Sequence, residues 1–436
     1  MTPTLVAEVE TRTTAKLSHA NSIFGVASRA VGGFSRAGIL LLIASKYGPG
    51  LFGKLALAIS VMEIFRTFSE FGIDTIAIRR FAHETEIQRA ELLNRIITSK
   101  LVTATICYLI SLAVTAVIAN DRFTLVLGAT ASLSLFSANL VGALASYYQS
   151  QLRMAEAFPP ALFAFVPYVA LSAGAIFQHW PLPLVVCILP LCELLNFFLL
   201  KRKIHNVPPF RFDISATLSL FRESWPLGLM AAMVMLYFRL DNILIFKFVG
   251  SAALGLYAAA FRIVEPVLMV PHAFALSLFA ILSARSFRRT SRREVLTAAL
   301  HSMWPAYLFI LCAACTLVLG GPWLLGHFNA SYLGAYPALR VLSGVLFFRT
   351  VNITLTVILN SRARYSLLAK ITATNLALNL VLAIVLIPRF GILGAAWAAL
   401  GTELWNMIAQ AMFAVGDNKF KTGPIYGLVC PEPECE

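Results

Sequence analysis

The sequence predicts an all-α polytopic membrane protein, with about twelve transmembrane helices in two pseudo-symmetric six-helix bundles around a central cavity. Its composition indicates the membrane class: hydrophobic residues make up 59% of the 436 residues and charged residues only 13%. A soluble domain has about a quarter charged residues and cannot hide so much apolar surface. The chain also contains repeated apolar runs of roughly 20 residues, the length that crosses ~30 Å of hydrocarbon. An internal repeat predicts the two bundles.

The predicted spans follow one another with short connections. In chain order they cover residues 20–45, 51–78, 96–120, 123–149, 157–178, 181–200, 224–247, 251–283, 294–320, 334–360, 365–387 and 391–415. The polar N-terminus lacks the apolar segment of a cleaved signal peptide, so we expect the first span to stay in the membrane. The connections contain no nucleotide-binding, zinc-protease or hydrolase motif. The sequence therefore predicts no catalytic residue, metal or cofactor.

Lys and Arg are concentrated in alternate connections. Basic residues cluster in 79–95, 201–211, 285–293 and 361–364, whereas the opposite connections hold few. Because positively charged connections stay on the cytoplasmic side, we expect both termini to be cytoplasmic. This topology, with contact to anionic lipid headgroups, accounts for the net charge of +14. The charge is therefore no sign of nucleic-acid binding.

The two halves of the chain share an internal repeat. Three residues recur at one offset of 202 positions: Gly48 as Gly250, Gly53 as Gly255, and Glu63 as Glu265. Six spans per half is an even number, so the halves would be related by a pseudo-twofold axis along the membrane normal, with substrate between them. The predicted divisions are an N-terminal bundle (1–200), a basic cytoplasmic linker (201–216), a C-terminal bundle (217–415) and a cytoplasmic tail (416–436).

Charged residues interrupt several spans, although ionisable groups in hydrocarbon are costly. Glu63 with Arg66, and Arg262 with Glu265, stand three residues apart, the spacing of ion pairs that would neutralise each other and lock the bundles. A role in a transport pathway is the alternative for these four residues. Pro266 follows the second pair directly and removes a helical hydrogen bond, so we expect the helix to loosen there.

Other charges have no acid at helical spacing in their own spans. These are Arg29, Arg36 and Arg349. Arginine stays protonated even when buried, so an excess of membrane-embedded guanidinium groups predicts a positively charged cavity. Such a cavity attracts anions, and phosphate suits the bidentate guanidinium fork. His272 lies beyond the proline, where it is either packed or takes part in coupling.

Three segments resemble a known family. They are "FGIDTIAIRRFA" (71–82), "FRLDNILIFKFVGSAALGLYAAAFRIVEPV" (238–267) and "TNLALNLVLAIVLIPRFGILGAAWAALGTELW" (374–405). The chain resembles the oligosaccharide-lipid flippases of the polysaccharide transporter family, relatives of the multidrug and toxic-compound extrusion antiporters.

The resemblance implies a function in surface polysaccharide or exopolysaccharide synthesis. A protein of this family moves polyprenyl-pyrophosphate-linked oligosaccharide repeat units across the bacterial inner membrane by alternating access, coupled to an ion. Polysaccharide polymerase and export proteins are implied as partners. We expect substrate contacts from Arg29, Arg36, Arg66, Arg239, Arg262 and Arg349, and coupling or gating by Glu63, Asp241, Glu265 and His272.

Two other functions stay open from the sequence. A cation-coupled multidrug antiporter of the related extrusion family would need unpaired carboxylates for its cationic substrates, whereas the spare charges here are basic. A polymerase or glycosyltransferase acting on lipid-linked sugars would need a large outer loop with acid and base groups, which this chain lacks.

Overall fold

A computed structural model describes residues 3–119, 121–204, 214–285 and 292–416, with side chains at most of these positions from Phe24 onward. These residues form helices and contain no strand. In chain order the helices are α1 (Pro3–Glu70), α2 (Ile73–His83), α3 (Glu86–Ile118), α4 (Arg122–Ser132), α5 (Ser134–Ser150), α6 (Met154–Phe177), α7 (Leu182–Lys201), α8 (Ile214–Phe248), α9 (Ser251–Val264), α10 (Met269–Arg285), α11 (Arg292–Phe328), α12 (Tyr336–Ser361) and α13 (Tyr365–Gly416).

Ten helical stretches of the described chain are long and apolar enough to cross a membrane. They confirm the predicted class. Two of them, Ala30–His83 and Tyr365–Ala414, have 54 and 50 residues, about twice the length that one crossing needs. Each contains a glycine with non-helical dihedrals, Gly48 (φ 75°, ψ 170°) and Gly391 (φ 58°, ψ −134°). Division at these glycines would give twelve spans, which stays a prediction.

Two further irregularities interrupt long helices. Between α1 and α2, Phe71 has a φ of 37° and Gly72 a φ of 75°, a left-handed region that costs a bulky residue energy. Between α9 and α10, residues Glu265–Leu268 form a 3₁₀ turn. Pro266 lies inside that turn and cannot donate a helical hydrogen bond. The predicted loosening of this helix is confirmed.

The chain divides into two compact units, Met1–Gly255 and Leu256–Glu436. The core of the first unit includes Ile73, Leu93 and Tyr148, and it also includes Leu220 of α8. The core of the second is built on α10 to α13 and includes Met303. Within the first unit α8 packs against α1, α2 and α3. The predicted linker lies mostly outside the described residues, and the tail almost entirely so.

The repeat glycines meet in a reciprocal contact inside the first unit. A Cβ at Gly53 would clash with the carbonyl group of Ser251, and a Cβ at Gly255 with the carbonyl group of Pro49. Pro49 and Ser251 are themselves one repeat apart. A contact in which i meets j and j meets i is what a twofold axis produces. This geometry supports the predicted duplication and explains why both positions lack a side chain.

Candidate functional site

A predicted substrate arginine, Arg36, belongs to a polar network of three helices in the first unit. Nη2 of Arg36 (α1) donates to Oε1 of Glu193 (α7) at 2.7 Å. The other oxygen of this buried carboxylate accepts a hydrogen bond of 2.6 Å from Oγ of Ser137 in α5. The Phe165 ring centre lies 5.8 Å from the guanidinium carbon, and Gly32 makes room for that ring. The expectation that Arg36 lacks an acid is therefore wrong, because another span supplies one.

A second ion pair joins α1 to α8. Arg239, which is buried, pairs with Glu63. One turn away, Nδ2 of Asn242 donates to Oγ of Ser60 at 2.7 Å, and Asp241 is buried on the same helix. The two helices are thus joined by polar contacts over two successive turns.

The pairing of Glu63 within its own helix, weighed from the sequence, does not form. Nε of Arg66 donates instead to Oε1 of Glu70, four residues on, at 2.9 Å. Both spacings place the partner on the same helix face, so sequence distance alone does not select between them. Arg239 of α8 pairs with Glu63, and Arg66 therefore pairs with Glu70 instead.

The second unit contains the pair that the sequence predicted within one helix. Nη1 of Arg262 donates to Oε2 of Glu265 at 3.1 Å. The acid begins the 3₁₀ turn, so the ion pair lies where the helix changes its hydrogen-bonding pattern. His272 lies further along in α10 with an exposed side chain. Its part in coupling stays a prediction.

The last arginine of the predicted substrate site is also paired across helices. Nε of Arg349 (α12) donates to Oε1 of Glu403 (α13) at 2.7 Å. Asn352 donates to the other carboxylate oxygen at 2.6 Å and to the main-chain oxygen of the same residue at 2.9 Å. The expectation of an Arg349 without an acid is wrong for the same reason as before. The side chain of Arg29 lies outside the described part of α1, so its role stays a prediction.

Two acids that the predicted site does not include, Glu193 and Glu403, carry a recognisable sequence signal. Glu193 opens the segment "ELLN" (193–196) and Glu403 opens "ELWN" (403–406), each in the last predicted span of its half. In both units the acid bonds a polar group of the fourth predicted span of that half. Together with the glycine repeat, this repeated motif indicates that Glu193 and Glu403 occupy equivalent positions in the two halves.

A buried lysine was missed altogether. Lys100 of α3 is fully buried and pairs with Asp74 of α2, whose Oδ1 also accepts from Ser146 at 3.1 Å. A Cβ at Gly142 would lie 3.1 Å from Nζ of the lysine, so this glycine leaves room for the pair. The sequence feature that indicates this buried pair is a single lysine at the start of an otherwise apolar run. A charge so buried persists only with a partner.

These helices and ion pairs define a polytopic membrane protein with a transporter fold. An inward-facing multidrug resistance MATE family transporter of the MOP superfamily shares the fold with a TM-score of 0.70, at 12% identity, over 87% of this chain and 94% of that one. The lipid II flippase MurJ in an inward closed conformation gives 0.70 at 14% identity, over 90% of this chain and 87% of that one. Identities this low support the fold alone.

The chain belongs to the family of polysaccharide biosynthesis proteins, whose sequence profile matches residues 36–283, more than half of the chain. This confirms the family resemblance. The probable low-salt glycan biosynthesis flippase Agl15 of Haloferax volcanii is 24% identical over 178 residues, 41% of this chain and 38% of that protein. The matched segments span about a third of the length of the curated relatives.

Proposed function

We propose that the protein is a flippase that carries polyprenyl-pyrophosphate-linked oligosaccharide repeat units from the cytoplasmic to the outer leaflet by alternating access. The observation that carries this proposal is the family match over residues 36–283. The matched region contains Arg36, Glu63, Arg239 and Arg262. The glycan flippase from Haloferax and the shared fold of the lipid II flippase support it.

The ion pairs neutralise the predicted substrate arginines whose side chains the structure describes, so a fixed positive cavity is not what would attract the substrate. Each guanidinium has five donors, and one carboxylate occupies only some of them. Nε of Arg36 has no hydrogen-bond partner among the described residues. A phosphate group binds such a guanidinium through parallel charge-assisted hydrogen bonds. We expect pyrophosphate to bind beside the carboxylate or to replace it.

The four ion pairs differ in which partner is more exposed, the arginine or the acid, and we use this difference to assign their roles. The arginine is the more exposed partner in two of them, at 34% against 8% for Arg36–Glu193 and 13% against 3% for Arg349–Glu403. The acid is the more exposed partner in Glu63–Arg239, at 21% against 9%, and in Arg262–Glu265, at 40% against 18%. We assign the first two pairs to the anionic substrate and the second two to coupling.

Coupling would follow from partner exchange. When a phosphate oxygen takes the place of Glu63 at Arg239, the carboxylate loses its cation in a medium where an isolated charge is costly. Binding a proton or another cation relieves that cost. Substrate binding and ion uptake would then favour each other, as linkage requires.

A cation-coupled multidrug antiporter is the second candidate function, and the fold of the MATE transporter favours it. The neutral ion pairs remove part of the charge argument against it. In this case the more exposed carboxylates, Glu63 and Glu265, would bind the cationic substrate. The two functions therefore predict opposite effects of removing arginine.

A binding experiment in lipid nanodiscs separates the two. The probes are a polyprenyl-pyrophosphoryl oligosaccharide and a cationic dye, tested on wild type, Arg36→Gln and Arg239→Gln. Arg153→Gln is the matched control, because it removes an arginine whose pair with Glu156 is exposed. Loss of a charge-assisted hydrogen bond should raise the Kd for the glycolipid about ten- to a hundredfold, and the control should not. Dye binding that survives both substitutions, without affinity for the glycolipid, would establish the antiporter instead.

A further inference from the structure

An aromatic groove lies where the end of α1 meets the beginning of α8, inside the first unit. Its volume is about 700 Å³, and its lining residues are Phe68, Phe71, Leu218, Phe221, Arg222 and Trp225. The four lining residues of α8 stand at spacings of three and four, so they share one face of that helix. None of them belongs to the ion pairs assigned to substrate or coupling above.

The groove is built around a strained residue. Phe71 has a φ of 37°, and its ring packs 5.6 Å from the ring of Phe221 and 5.8 Å from that of Trp225. A Cβ at Gly228 would lie 2.5 Å from the Phe71 ring, so the glycine admits it. A left-handed phenylalanine costs of order 1–3 kcal/mol and persists only where packing determines it. The break between α1 and α2 thus turns an aromatic side chain into the groove wall.

The rim of the groove is basic. Arg222 is exposed and forms no ion pair with any residue that the structure describes. The next residue, Glu223, lies on another face of α8, where it binds both Arg79 and Arg80 of α2. Arg222 therefore contributes one positive charge beside the apolar wall. An apolar groove with a basic rim suits an anionic lipid, whose chain needs hydrocarbon and whose headgroup needs cations.

We propose that the aromatic groove binds the prenyl chain of a polyprenyl-linked phosphate, with Arg222 at the phosphate. This inference rests on the proposed function and adds a site for the carrier lipid. One apolar groove with the single cation Arg222 at its edge matches a lipid that has one hydrocarbon chain and one terminal phosphate group. Branched prenyl methyl groups also pack well on the faces of fixed aromatic rings.

The groove gives the tail a place outside the ion-paired region. Trp225 and Leu218 are 57% and 69% exposed, so the groove opens to the surroundings of the protein. The prenyl chain can therefore stay on the surface of the first unit while the polar head is transferred. The groove then selects the carrier lipid independently of the sugar.

Binding of a long-chain polyprenyl monophosphate to the full chain in nanodiscs tests the inference. Leu218→Trp fills the groove, Trp225→Ala removes one wall, and Arg222→Gln removes the rim charge. Leu319→Trp is the matched control, because position 319 lies in α11 and is 83% exposed. The first three variants should raise the Kd for polyprenyl phosphate about tenfold, and the control should not. Polyprenol, which has no phosphate, should bind wild type and Arg222→Gln equally.

Three results would overturn the inference. They are an unchanged Kd in both Leu218→Trp and Trp225→Ala, equal competition by phosphatidylglycerol, or equal weakening by Leu319→Trp. The polyprenyl-pyrophosphoryl oligosaccharide is measured in parallel. If wild type does not bind it, the proposed function fails. If wild type binds it and the groove variants bind it as tightly, only the groove assignment fails.

Discussion

Alanine at Gly53 should destabilise the protein more than alanine at any exposed glycine of the same helix. The added Cβ would lie 2.6 Å from the carbonyl carbon of Ser251 and 2.9 Å from the amide nitrogen of Gly255, whereas ordinary contacts begin at 3.4 Å. Both neighbours are backbone atoms and cannot rotate away. The carbonyl oxygen of Ser251 is nearer still, so the two helix segments must separate by about 1–2 Å, which weakens the dispersion contacts around the crossing.

The size of the effect follows from the overpacking cost. Overpacking a close contact costs about 1–3 kcal/mol, and the rigid neighbours place Gly53→Ala at the upper end. A cost of about 3 kcal/mol lowers the Tm of a unit of this size by about 6–12 °C. Gly33→Ala is the matched control, because the same helix has nothing within 4 Å of a Cβ there. Better helix propensity should leave that variant equal to wild type or slightly more stable.

Thermal unfolding of the purified protein in detergent, followed by intrinsic fluorescence, measures these differences. The double variant Gly53→Ala with Gly255→Ala sharpens the test. Because one separation of the helices relieves both clashes, the double variant should be less destabilised than the sum of the single variants. A Gly53→Ala protein that melts like Gly33→Ala would refute the reciprocal contact. Full additivity would show that the two positions do not share one contact.

Three further predictions concern charges. Asp74→Asn leaves Lys100 fully buried without its acid and should lower the free energy of unfolding by about 3–5 kcal/mol. The double variant with Lys100→Met should recover most of the lost Tm. Glu403→Gln removes the acid of the half-buried Arg349 and should lower the Tm by a smaller amount, and an unchanged Tm would contradict the pairing. Burial favours a higher pKa for Asp121, but hydrogen bonds from Lys54 and the first turn of α4 outweigh it and hold the pKa below its usual value. This contribution is present above the unfolded pKa and is lost as the pH falls below about 4, so the acid-induced fall in Tm should be smaller in Lys54→Gln.

The local features of this protein could be predicted from the sequence because they depend on neighbours in the chain. The expected span 157–178 corresponds to α6 (Met154–Phe177), and 181–200 to α7 (Leu182–Lys201). The loosening at Pro266 and the pair beside it follow from proline chemistry and helical spacing. In each case the deciding interaction lies within one or two turns.

The cross-helix pairs could not be predicted in the same way. Arg36 finds its acid 157 positions away, and the partner of Arg349 is 54 positions away. Helical spacing identifies partners only within a span, so both arginines were expected to be unpaired. The choice of Glu63 between its two possible cations also depends on how α8 packs against α1. These are tertiary contacts, and the repeated "ELxN" segments were the available signal.

The duplication places the acids at equivalent positions, but equivalent acids pair with arginines of different helices. Glu63 and Glu265 are one repeat apart, and Glu193 and Glu403 begin the same "ELxN" motif in the last predicted span of each half. Their arginines come from α8, from α9, from α1 and from α12. We infer that the acids form the common framework of the two halves, whereas the choice of arginine partner differs between the halves. Substitution of Arg36 or Arg349, in the pairs assigned to the substrate, should therefore alter the choice of substrate, and substitution of Glu63 or Glu265 should alter coupling.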